Sequence, residues 1–125
     1  NQRWAELRGA PMPVGPAAPA VSLANVSLLL RGNGTNGSTT FTDGSLNAFT
    51  VTPFGNAQIS TAQSKYGGAS MLFDGTGDYL TVPSNAVFAF GTGAYTIEAW
   101  VYVTSRSTEA SIWANGVSNN NFLMI

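Results

Sequence analysis

The 125 residues hold five basic and six acidic side chains, a formal net charge of -1, with 44% hydrophobic and only 9% charged residues; that length suits one domain with one core. Arg3, Arg8, Arg31, Lys65 and Arg106 are scattered, so the basic patch of a nucleic-acid binder has no footprint. The absence of Cys and His removes disulfides, thiolate nucleophiles, cysteine-based zinc sites and the commonest general base and metal ligand.

Residues 1–25 are expected to form an extended tail or anchor, because PMPVGPAAPA at 11–20 favours a semi-rigid path. Trp4 and Leu7 lie three apart and make one apolar face of a short helix that suits docking on a neighbouring subunit, or belong to a disordered tail. The chain begins at Asn1 without Met and without the basic-then-apolar layout of a signal peptide, so part of the gene product is expected to be missing. The longest apolar run, 26–30, is far short of the roughly 20 residues that span a bilayer; a soluble chain without membrane insertion is expected.

From residue 26 onward, apolar runs alternate with the turn pairs Asn33-Gly34, Asn36-Gly37, Asp43-Gly44, Asp74-Gly75 and Asn115-Gly116. Asn or Asp before Gly is a strong turn signal, since both positions tolerate positive φ. Strands are therefore expected over 26–31, 48–52, 69–73, 78–82, 95–104, 110–114 and 121–125. The clearest hairpin is expected at ASMLF-DGTG-DYLTV, with Met71 and Phe73 on one face and Leu80 and Val82 on one face of the partner, ended by Pro83. Within 95–104, Tyr95, Ile97, Ala99, Val101 and Val103 form a core-like face, opposite Thr96, Glu98, Trp100, Tyr102 and Thr104. Rings interleaved with polar groups suit either a half-solvated sheet face packed under loops or a surface that stacks on sugar rings. The final NFLMI would leave an unpaired edge if the chain stopped there, an edge for the rest of a longer chain or a neighbouring subunit to cover.

Two consecutive stretches, KYGGASMLFDGTGDYLTVP at 65–83 and FGTGAYTIEAWVYVTS at 90–105, resemble the laminin G-like, concanavalin A-like jelly-roll family. They combine a Gly-Gly turn, a Phe-Asp-Gly hairpin, a Tyr-Leu-x-Val-Pro strand and a Thr-Ile-Glu-x-Trp-Val strand in the family's order and spacing. VSLLLRGNGTNGSTTFTDGS and VTPFGNAQISTAQSKYGGAS look more narrowly like modules of phage structural proteins, especially tail and other virion proteins of phages infecting cyanobacteria. The resemblance covers 26–125 and implies an all-β, antiparallel jelly-roll β-sandwich of which this chain is the N-terminal portion. The later strands that usually carry a Trp-His-type motif are absent, and the chain has no His.

Some relatives with this fold are endoglucanases, and a retaining glycosidase needs two carboxyl groups about 5 to 5.5 Å apart. On the strand holding Glu98, the same-face positions 96, 100, 102 and 104 offer no second acid, so an enzyme is not expected. Asp74 and Asp78, with turn carbonyls, suit either a structural turn or a calcium ion, which takes roughly six to eight oxygen ligands; no other cofactor is expected. GNGTNGS lacks the lysine and helix of a phosphate loop, and the sequons at Asn25, Asn33 and Asn36 are no more than this composition gives by chance.

The resemblance implies a non-catalytic virion structural protein, a tail-fibre, baseplate or capsid-decoration subunit. Its expected partners are other virion subunits, a homo-oligomer or larger assembly, and a cell-surface glycan met by Glu98, Trp100 and Tyr102. The competing expectation is a secreted or cell-surface carbohydrate-binding or adhesion module attached to a larger enzyme or adhesin; a third is a metal-dependent adhesion module using Asp74 and Asp78.

Overall fold

A computed structural model describes residues 22–104 and 111–115, and the backbone of 120–124. The secondary structure is short strands with two single-turn 3-10 helices, Leu23–Asn25 and Ala86–Phe88, capped by the side chains of Ser22 and Asn85. The strands are β1 (Thr52–Phe54), β2 (Gln58–Ser60), β3 (Ser70–Leu72), β4 (Tyr79–Pro83), β5 (Ala114–Asn115) and β6 (Asn120–Met124). They form an antiparallel four-stranded sheet in the order β1-β4-β6-β5 and a two-stranded antiparallel sheet β2-β3.

The registers correct the expected hairpin. β3 does not pair with β4; β2 pairs with β3 (Ile59 opposite Met71) and β1 with β4 (Pro53 opposite Leu80). Residues 52–60 therefore run antiparallel to 70–81 as one long ribbon, and its turn lies at 61–69. The DGTGD stretch is an insertion inside that ribbon: residues 73–78 stand opposite residues 55–57 between the pairs Phe54–Tyr79 and Gln58–Leu72. Extra residues on one side disrupt the ladder and bend the strand, which is why the ribbon divides between two sheets here.

Asp78 closes the break. One carboxylate oxygen accepts the amide of Asn56 (2.7 Å) and the other the amide of Asp74 (2.8 Å). Asp74 in turn accepts Thr76 N–H (2.7 Å) and Asn56 Nδ2 (2.8 Å). Gly55 is required opposite this clasp: its φ is +70°, and a Cβ there would collide with Asp78 Oδ1 and come within 2.8 Å of the Gly77 carbonyl.

Phe41, Val51, Ala57, Ile59, Ala69, Leu80, Val82 and Phe88 are buried together, with Leu28, Leu30, Phe49, Met71, Phe73 and Trp113 packed against them. Alternation on β4 fails in a useful way, since Leu80, Thr81 and Val82 are all buried, as expected of a strand flanked on both sides and covered on both faces. β2 is likewise flanked twice: Gly37 N–H donates to the Ile59 carbonyl and Ile59 N–H to the Ser38 carbonyl, both at 2.7 Å.

The 26–31 run is not a strand; it makes one bridge, Leu30 opposite Asp43. Asp43 is buried, and its carboxylate accepts Leu29 N–H (3.0 Å), Ser45 N–H (2.8 Å), Ser45 Oγ–H (2.8 Å) and Phe49 N–H (2.9 Å). Burial pushes the carboxyl up, but these hydrogen bonds outweigh it and hold Asp43 below its ordinary 3.8. Residues 48–52 form a strand only at their end, because Ala48 has φ +47°, a left-handed turn incompatible with extended pairing. β6 corrects the expectation at the C-terminal run: it lies between β4 and β5 rather than at an edge.

The largest correction concerns 95–104. No strand pairing is made there, and Tyr95, Ile97, Val101 and Val103, expected in the core, are exposed. The physical reason is that no other described strand runs alongside this segment, and alternation without a neighbouring strand supplies neither ladder bonds nor an opposing apolar face.

Candidate functional site

The turn of the long ribbon and the unpaired segment meet at one place. Gly67 and Gly68 have φ of +73° and +79°, a backbone route open chiefly to glycine. The reversal leaves Tyr66, just before it, 68% exposed. Trp100, 34 positions later in the chain, is 74% exposed. The two rings approach edge to face, with centroids 6.3 Å apart and planes at 72°. Lys65 Nζ lies 4.7 Å from the Trp100 ring centroid and 5.9 Å from that of Tyr66.

A cation over an exposed indole contributes only about 0.5–1 kcal/mol, and an edge-to-face pair about 0.5–1.5 kcal/mol. These contacts position the three side chains without removing them from water. The result is an open platform: an indole plane, a phenol with a donor and acceptor hydroxyl, and an ammonium with three donors. Such a surface can stack on the C–H face of a ring-shaped ligand and hydrogen-bond its hydroxyl or carboxylate groups.

Of the residues expected at a sugar-contacting surface, Trp100 joins this cluster. Glu98 and Tyr102 are exposed on the same segment, and neither makes a ring contact or hydrogen bond with another described residue. Lys65 and Tyr66 escaped the sequence reading, though the Tyr-Gly-Gly triplet marks an aromatic set beside a sharp reversal. Asp74 and Asp78 do lie together, but their four carboxylate oxygens each accept a hydrogen bond from the ribbon, and among the described residues no third acidic group joins them. Trp4 and Leu7 lie outside the described residues.

A shallow depression lined by Phe41, Asp43, Ala48, Phe49 and Val51 offers less chemistry, because Asp43 is saturated by its four donors. A second polar feature is structural: Trp113 packs between Phe88 and Phe90, with centroids at 5.5 and 6.4 Å, and its buried Nε1 has no hydrogen-bond partner among the described residues. No helix among the described residues is long and apolar enough to cross a membrane. No family model, curated protein or solved structure matches the chain.

Proposed function

We propose that the chain is a non-catalytic recognition and assembly module of a virion, the N-terminal portion of a laminin G-like jelly roll that presents an aromatic platform to a cell-surface glycan. The observation that carries the glycan half is the placement of Trp100 and Tyr66: two large rings held edge to face, each about two-thirds or more exposed, outside any core. Isolated exposed apolar residues need no explanation, but two rings and a lysine gathered from distant parts of the chain form a surface suited to a ligand. The virion half rests on the resemblance of the 26–45 and 51–70 stretches to phage structural modules, and the antiparallel, strand-built architecture supports the β-sandwich expectation at the level of class.

In this reading Trp100 stacks on a sugar ring, Tyr66 and Glu98 exchange hydrogen bonds with hydroxyl groups, and Lys65 fixes the ring and adds a donor. The test is a glycan array probed with the wild-type chain, Trp100→Ala and Tyr66→Ala. Binding that falls at least about tenfold in both variants supports the reading. Equal signals from all three proteins, or none from any, overturn the glycan half; absence of the chain from purified particles by mass spectrometry overturns the virion half.

A further inference from the structure

We infer that residues 95–103 are the strand through which two copies of this chain pair, antiparallel, about a twofold axis at Ala99. The inference deepens the assembly half of the proposed function and stands apart from its glycan half.

The segment Tyr-Thr-Ile-Glu-Ala-Trp-Val-Tyr-Val (95–103) has the alternation and the β-branched and aromatic content of a strand. Yet it makes no strand pairing, and every residue in it is exposed. None of the devices that protect free strands is present: it has no Pro, no Gly, no Lys or Arg, and Glu98 is its one charge. Such a segment is completed by strand addition.

The sequence selects a second copy as the partner. With Ala99 opposite its own symmetry mate, Ile97 falls opposite Val101 and Tyr95 opposite Val103, so each member of the apolar face meets an apolar residue. On the other face Thr96 meets Tyr102 and Glu98 meets Trp100. An axis at Glu98 would instead put the two carboxylates directly opposite, which is destabilising. An axis at Trp100 would oppose the two bulky indoles and leave Tyr95 without a partner.

Charge supports the same register. The Trp100 ring that faces Glu98 of the other copy is the ring that carries Lys65, with Nζ 4.7 Å from its centroid. Pairing about Ala99 therefore brings each copy's carboxylate toward the other's ammonium, twice per dimer, as an isologous contact requires. Pairing in the plane of the sheet leaves the outward faces of both indoles open.

The register is tested by single cysteines, which the chain's lack of native Cys makes unambiguous. Ile97→Cys, Glu98→Cys, Ala99→Cys, Trp100→Cys and Val101→Cys are each oxidised at low concentration, and the linked dimer is quantified. Only position 99 faces itself; at 98 and 100 the two copies of the residue are offset by two positions along the strands, beyond the roughly 4.4–6.8 Å Cα separation of a disulfide. The expected result is a light-scattering mass twice the 13.0 kDa of one chain and at least about fivefold more linked dimer for Ala99→Cys than for Glu98→Cys or Trp100→Cys. A monomeric mass at micromolar concentration, a maximum at another position, or equal linkage at all five overturns the inference. Glycan binding by Ala99→Cys is read separately, so loss of the glycan reading leaves the dimer standing, and the reverse.

Discussion

Asp78 holds the backbone amide of Asn56 at 2.7 Å across the break in the ribbon, so one buried carboxylate joins strands that belong to different sheets. Removing it strands two amides, those of Asn56 and Asp74. Asp78→Ala is expected to cost about 2–4 kcal/mol. Gly55→Ala, which forces a Cβ into that carboxylate at a φ of +70°, is expected to cost about 2 kcal/mol or more. Urea midpoints measure both, and a wild-type midpoint for either would show that the clasp does not hold the ribbon.

Asp43 links stability to acidity. Its folded carboxyl titrates below its ordinary 3.8, so its contribution is complete above about pH 5 and is lost as pH falls through 3.8 toward the lower folded value. Asp43→Asn is expected to lose about 2 kcal/mol at neutral pH, with the gap to wild type narrowing as the medium is acidified below 3.8. Urea titrations at about pH 7 and about pH 3 compare the two; a gap that stays constant would rule out the anchored carboxylate.

Ala48 adopts φ +47°, a conformation that costs an L-residue roughly 1 kcal/mol and glycine almost nothing. Ala48→Gly is therefore expected to raise the unfolding free energy by up to about 1 kcal/mol. A lowered melting midpoint would refute this.

Calcium is expected to give no saturable heat in titration calorimetry of the full chain. Each oxygen of Asp74 and Asp78 already accepts a hydrogen bond, and a bound cation would displace those donors from a clasp the fold uses. Saturable binding that disappears in Asp74→Asn would reverse that assignment.

Much of the strand inventory was legible in the sequence. β3, β4 and β6 fall where alternation and β-branched residues placed them, and Leu80 and Val82 are buried as their shared face implied. What failed was partner choice. Asp74-Gly75 announces a tight turn and makes one, but local chemistry does not distinguish a hairpin tip from an insertion in a ribbon whose other strand is 52–60. The same limit applies at 95–104, where a strand-like pattern needs a neighbour that propensity does not provide. Trp100 was legible as a ring on a polar face; Lys65 and Tyr66 were not, because only the reversal at Gly67-Gly68 brings them to it.

The four-stranded sheet is bounded on one side by β1, three residues long with Pro53 at its middle, and on the other by β5, two residues long. Neither margin exposes a run of donors and acceptors long enough to recruit a further chain, and proline supplies no donor at all. Growth into cross-β fibres is blocked from both flanks, which confines any higher-order association of this polypeptide to a finite, closed stoichiometry.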